Sequence, residues 1–135
     1  MPARQAKALA HLRTADPVLG AWIDRAGPYG LRVARAGTHF DHVARSIVYQ
    51  QLSGAAAATI HGRVLALFGG AAPTPRQLRR VPDDRLRGVG LSGRKVEYLK
   101  ALAAAAARPT HAIHRLHELS DAEVIGTLTA LRGIG

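Results

Sequence analysis

Ser120-Asp121-Ala122-Glu123-Val124-Ile125-Gly126-Thr127-Leu128-Thr129-Ala130-Leu131-Arg132-Gly133-Ile134-Gly135 reads as a helix that runs straight into a glycine turn. Ser120-x-x-Glu123 is a capping box, in which the serine oxygen and the glutamate carboxylate each take a free N–H of the helix start. Val124, Leu128 and Leu131 follow at helical spacing, so the pattern predicts a helix over 121–131. Gly133-x-Gly135 then lets the backbone adopt positive φ and reverse its direction. A helix starting just past such a turn would aim unpaired N–H groups at an anion, with phosphate the natural occupant. On this reading a second helix is expected beyond Gly135, and the chain is expected to be part of a longer product.

The same signature occurs once more upstream. Leu86-Arg87-Gly88-Val89-Gly90 nearly repeats Leu131-Arg132-Gly133-Ile134-Gly135, and Ser92-Gly93-Arg94-Lys95 follows it at a predicted helix start. The pair is either two phosphate-binding turns or two ordinary glycine-terminated helices, because the pattern is short and common. Arg94 and Lys95 beside a helix start favour the phosphate reading for the first turn.

Nearly every other segment is helical in pattern. Residues 3–13 form a weakly patterned first helix. Asp16-Pro17 supplies an N-cap and a proline at the first helical position for a helix with Val18, Leu19, Trp22 and Ile23 on its stripe, stopped by Gly27-Pro28. That stripe predicts Trp22 in the core. Residues 28–38 read as loop or a short extended piece. Phe40, Val43, Ile47 and Val48 make the next stripe, ending near Gln51, and Ser53 caps a helix carrying Ile60, Val64, Leu67 and Phe68 that Gly69-Gly70 closes. Thr74-Pro75-Arg76-Gln77 is another capping box on a short helix to Val81, and Pro82-Asp83-Asp84 opens one that ends at Gly88. Ser92 caps a long helix over 93–107 with Val96, Leu99, Leu102 and Ala103 facing inward, ended by Arg108-Pro109. A short piece with Ile113 and Leu116 precedes the last helix. No segment alternates as a strand does, so the expected fold is all-α, a compact bundle of short helices forming one domain over 1–135.

A chain of 135 residues can bury a real core, and 47% hydrophobic residues is a globular composition. No apolar run is long enough to span a bilayer, and Met1–Lys7 has no signal-peptide core. Without cysteine there is no disulfide framework and no thiolate metal site, and a cytoplasmic location is the simplest expectation. Lys plus Arg number 19 against 9 Asp plus Glu, a net charge of +10, and nearly all the cations are arginine, which pairs bidentately with phosphate. Such a surplus points to nucleic acid. A GC-rich coding bias is the competing source of the Ala, Arg and Gly richness. His111, His114 and His117 miss the i, i+4 pairing of helical metal sites and have no acidic partner in the pattern, so they read as surface residues near nucleic acid and not as metal ligands.

Taken in order, these residues resemble one family, the helix-hairpin-helix DNA glycosylases, and within it the 3-methyladenine DNA glycosylase II branch of alkylation repair. The resemblance runs from about Leu9 to Gly135. It is carried by His11-Leu12 with Asp16-Pro17-Val18-Leu19, by Ser46-Ile47-Val48-Tyr49-Gln50-Gln51-Leu52-Ser53, by Leu86-Arg87-Gly88-Val89-Gly90-Leu91-Ser92 with Lys95 and Tyr98-Leu99, and by Leu128 to Gly135. Ser-Ile-x-x-Gln-Gln-Leu-Ser is the most specific part. The resemblance implies a base-excision enzyme that bends double-stranded DNA, rotates an alkylated base such as 3-methyladenine out of the stack and hydrolyses its N-glycosidic bond, with no organic cofactor. It implies Gln51 as the plug that fills the gap, Leu52 and Ser53 beside it in the minor groove, and Gln50 as a structural residue. Gly133 and Gly135 match the hairpin glycines, whose backbone holds phosphates beside the lesion, with a monovalent cation allowed there. Arg132, with Gly90, Ser92, Arg94 and Lys95 of the first turn, completes the expected DNA contacts.

The resemblance also implies a catalytic aspartate a short way beyond the hairpin, stabilising the cationic sugar as the base leaves. None of Asp16, Asp24, Asp41, Asp83, Asp84 or Asp121 matches that position; Asp16, Asp83 and Asp121 read as helix-start residues and the others as surface. No catalytic residue is therefore assigned, and these 135 residues alone are expected to be inactive. Lacking its partner helix, the last helix is expected to fray or self-associate, the full-length product being a monomer. Tyr49 stays open between packing and stacking on an electron-poor alkylated base. Two other classes fit the charge and helicity: a non-catalytic helix-hairpin-helix DNA-binding module, and a basic helical RNA-binding protein.

Overall fold

A computed structural model describes residues 3–135. The described residues are helical with no strand, as the sequence pattern predicts. They divide into two units, one reaching to Arg35 and the other spanning Ala36–Gly135.

The first unit is a pair of helices, α1 (Ala3–Ala15) and α2 (Pro17–Ala26). Asp16 is the N-cap between them: its Oδ1 accepts the N–H groups of Val18 and Leu19 at 2.9 and 3.0 Å. Gly20 is the one buried residue of these two helices. A Cβ there would stand 2.9 Å from the Arg13 carbonyl oxygen, so the close crossing needs glycine. An exposed ion pair, Arg13 to Asp24 at 2.7 Å, ties the helices further. Trp22 corrects the sequence expectation: it is 62% exposed, with the Arg25 guanidinium 5.3 Å from its ring centre. Two helices alone enclose a single inner line, and Gly20 occupies it.

The second unit is built around α7 (Gly93–Ala106). That helix packs against α3 (His39–Tyr49), α5 (Pro75–Arg80) and α6 (Asp83–Gly88), and buries Val96, Leu99, Leu102, Ala103, Ala105 and Ala106. Phe40, Ile47 and Val48 of α3, Leu78 of α5 and Leu86 of α6 meet it in one core. α4 (Gly54–Ala66) packs on α3, and a 3₁₀ segment (Ala112–Glu118) packs on α3 and on α8 (Asp121–Thr129), bringing in Ile113 and Leu131. The predicted caps form: Ser53, Thr74, Ser92 and Ser120 each accept a first-turn N–H. A further capping box joins Thr38 and Asp41, whose carboxylate accepts the Thr38 N–H at 2.7 Å. It corrects the reading of Asp41 as plain surface; aspartate in place of glutamate or glutamine hides the pattern. α8 stops at Thr129, two residues before the predicted end, and Leu131 is buried beyond it.

Lys100 fixes the corner between α5 and α6. Its Nζ donates to the Arg79 carbonyl at 2.9 Å and to the Val81 carbonyl, with Asp83 Oδ1 at 3.5 Å. Lys100→Met leaves those helix-end carbonyls unpaired and should cost about 1–3 kcal/mol, read as a lower urea midpoint at unchanged slope. His61, half-buried on α4, has its pKa held below the ordinary value by burial and then by the Arg45 guanidinium. The unfolded chain therefore takes up the proton more readily than the folded one, so stability is full above the ordinary histidine range and falls as pH drops through it. His61→Gln should flatten the dependence of the unfolding midpoint on pH between about 7 and 5, with His111, also lowered, keeping the rest.

Candidate nucleic-acid interface

The end of α3, the start of α7 and the Leu131–Gly135 turn converge on one groove. α3 closes at Tyr49, Gln50 is extended (φ −54°, ψ 134°), and Gln51 then takes φ +60°. Gln51 is the only non-glycine at positive φ among the described residues, and its side chain is exposed. The chain needs that sharp corner to pass from α3 into Ser53, which caps α4.

A cation from another helix secures the corner. Lys95 Nζ donates to the carbonyls of Val48 at 2.7 Å and Gln50 at 2.6 Å, the negative end of α3. Burial pulls the pKa of this ammonium below its usual value. Two of its three N–H groups are thus engaged, leaving one for a ligand. Gln50 Nε2 in turn donates to the Gly133 carbonyl at 3.1 Å, which ties the corner to the hairpin. Gly133 has φ +91°, and a Cβ on it would overlap the ring of Tyr98, so the turn lies flat on that ring only with glycine.

The resulting groove, about 660 Å³ and open to solvent, is lined by Gln50, Gln51, Ser92, Arg94, Lys95, Tyr98 and Gly133–Gly135. No Asp or Glu side chain lines it. Arg94 is exposed and enters no ion pair among the described residues. At the start of α7, Ser92 caps the Lys95 N–H at 3.2 Å. The remaining first-turn N–H groups add positive potential on the same side. The wall suits an anion chemically.

Of the residues singled out in the sequence, Gln51, Ser92, Arg94, Lys95, Gly133 and Gly135 share this groove. Leu52, 38% exposed, and Ser53 follow Gln51 on the exposed corner without lining it. Arg132 also stands outside the lining, paired with Glu97 at 3.0 Å. Gly90 has φ +111° and turns the chain toward Ser92, but does not line the groove. The two Leu-x-Gly-x-Gly copies are conformationally different. α6 continues through Gly88, whereas α8 has already ended before Gly133, so only the final glycines, Gly90 and Gly135, are alike in φ sign. Gln50, read as structural, and Ile134 also line the groove, and Tyr98 is the residue of α7 that sequence reasoning did not assign to the site. Its signal is an aromatic three positions past Lys95, on the same face of α7.

Tyr49 lies under the Arg45 guanidinium at 4.1 Å with His61 at its edge, and the groove lining does not include it. The three histidines of the 3₁₀ region also lie outside that lining. His111 Nδ1 accepts the Ile113 N–H at 3.2 Å, His114 Nε2 meets the Ala106 carbonyl at 2.9 Å, and His117 shares a 3.0 Å hydrogen bond with His39. Among the described residues no three His, Asp or Glu side chains form a metal-ligand set. Of the hairpin carbonyls, those of Leu131 and Gly133 each already accept a hydrogen bond, from the Ile134 N–H at 3.2 Å and from the Gln50 amide.

Residues 44–134 match the family described as HhH-GPD superfamily base excision DNA repair protein. DNA-3-methyladenine glycosylase 1 of Schizosaccharomyces pombe is 33% identical over 100 residues, 71% of this chain and 43% of that protein. Two solved structures are similar. A DNA-3-methyladenine glycosidase from Bacillus halodurans is 38% identical with a TM-score of 0.75, over 92% of this chain and 56% of that one. A Schizosaccharomyces pombe 3-methyladenine DNA glycosylase (Mag1), in complex with abasic DNA, is 31% identical with a TM-score of 0.79, over 96% of this chain and 64% of that one. The chain thus spans between 43% and 64% of the length of these relatives. With its hairpin, its helical bundle and a match across most of its length, the chain belongs to the HhH-GPD superfamily of base excision DNA repair proteins.

Proposed function

We propose that the chain holds duplex DNA against the groove between α3, α7 and the 131–135 turn, and that Gln51 enters the duplex where a damaged base has been rotated out. The observation that carries this reading is the conformation of Gln51. An exposed glutamine held at φ +60° on a protruding corner carries backbone strain of the kind that collects at working sites. It stands at the rim of a wall that bears Arg94 and Lys95 and no Asp or Glu side chain. In this reading Arg94, the Ser92 hydroxyl, the free N–H of Lys95 and the backbone of Gly133–Gly135 hold phosphates, while Gln51 replaces the stacking and pairing lost on flipping.

The substrate class proposed is duplex DNA carrying an alkylated base such as 3-methyladenine, after the names of the relatives. The reaction is hydrolysis of the N-glycosidic bond: the base leaves with the bonding electrons and water adds to the sugar. The residues of this groove bind and position the DNA. None of them supplies the carboxylate that would steady the cationic sugar, so no catalytic role is assigned here.

Gln51→Ala should weaken binding to a duplex with an abasic nucleotide by about five- to tenfold, and binding to the intact duplex by much less, in fluorescence anisotropy at fixed salt. An equal loss on both would remove the plug role. The salt dependence of binding should be steep, and Arg94→Ala should reduce the slope of log K against log salt by about 0.9, one phosphate contact. Gly133→Ala drives a methyl group into Tyr98 at positive φ and should cost about 2 kcal/mol of stability together with DNA affinity. Gly126→Ala, where a Cβ meets open space inside α8, should do neither.

A further inference from the structure

A second basic surface lies at the other end of α7. Arg76, Arg79 and Arg80 fall at i, i+3 and i+4 on α5, all exposed, and none takes part in an ion pair among the described residues. They surround a pocket of about 330 Å³. Arg76 and Arg79 also form the rim of an adjoining groove of about 540 Å³, whose floor includes Pro75, Ala106, Ala107 and Pro109. The position of α5 is fixed from below: Leu78 is fully buried, and Lys100 holds the carbonyls of Arg79 and Val81. The arginine side chains are therefore displayed from a rigid support. Along α7, Arg94 and Ala106 are about 18 Å apart at 1.5 Å per residue, so this surface is separate from the groove containing Gln51.

We propose that this groove is a docking site for an acidic segment of a partner protein that carries an apolar side chain. Two chemical features select that occupant. Three clustered guanidinium groups with no ion-pair partner among the described residues favour an anionic ligand, and carboxylates pair with them bidentately as phosphates do. The adjoining floor of Pro75, Ala107 and Pro109, with Thr74 and His114 also lining it, is mostly apolar. It favours a leucine or phenylalanine flanked by Asp or Glu, which would place its side chain there and its charges on the rim, over a sugar-phosphate backbone. Because the two surfaces sit at opposite ends of one helix, partner and DNA can be held together. The inference rests on the α5–α7 geometry and does not depend on the role of Gln51.

The test uses the whole chain, isotopically labelled, and a short synthetic peptide of Asp and Glu residues around one leucine. Amide shifts should change at residues 76–80 and 106–108 and persist when a short duplex saturates the other groove. The double variant R76A/R79A should lose about tenfold in peptide affinity with duplex affinity unchanged. A peptide with serine in place of leucine should bind about fivefold more weakly. Shifts confined to Arg94, Lys95 and Gly133, an unchanged affinity in R76A/R79A, or equal binding of the serine peptide would each overturn the proposal. Displacement of the peptide by duplex DNA, with shifts on α5, would overturn it in favour of a second phosphate surface.

Discussion

The ammonium of Lys95, bonded to the last carbonyls of α3, is the contact on which the site depends. A helix ends with unpaired carbonyls that need donors, and here two of them, on Val48 and Gln50, are served by a side chain from α7. Lysine suits the task better than arginine: its charge is compact, and its N–H groups can diverge toward two oxygens at once. Burial disfavours the charge and lowers its pKa, while the carbonyls at the negative end of α3 give the ammonium two acceptors. Beyond the fixed carbonyls of Val48 and Gln50 the chain leaves the end of α3 through the corner at Gln51, at φ +60°. The Gln50 amide then reaches the Gly133 carbonyl, and the hairpin settles on Tyr98. Three stretches of chain distant in sequence are held by one cation, one amide and one aromatic ring.

α7 carries these consequences from one end of the second unit to the other. Its buried face is almost wholly aliphatic and alanine, which lets α3, α5 and α6 approach closely. Its first turn bears the cations of the groove beside Gln51, and its C-terminal end lines the groove beside Arg76 and Arg79 of α5. Five of the 19 cations, Arg94 and Lys95 at one end and Arg76, Arg79 and Arg80 at the other, thus flank the two ends of a single helix. A surface arranged this way favours association with polyanions at one end while keeping the other available.

Much of this was legible in the sequence, because caps and glycine turns act locally. Asp16, Ser53, Thr74, Ser92 and Ser120 each announce a helix start through a hydrogen bond within three residues, and each forms. The hairpin glycines read correctly for the same reason: positive φ is a property of single residues. What escaped depends on partners far along the chain. The Lys95 side chain reads as a phosphate contact until α3, more than forty residues upstream, is seen to end against it. Trp22 reads as core from its stripe, but two helices supply no interior for it. The Leu-x-Gly-x-Gly echo reads as a structural repeat, yet α6 runs through its first glycine and α8 does not, since helix length is set by packing as well as by sequence.

A crystal structure of the chain bound to a duplex with one abasic nucleotide tests the central claim most directly. The Gln51 side chain should lie inside the duplex at the abasic position, with phosphates within hydrogen-bonding distance of Arg94 and of the Gly133–Gly135 backbone. A duplex seated on another face, or one held at this groove with Gln51 pointing into solvent, would contradict it.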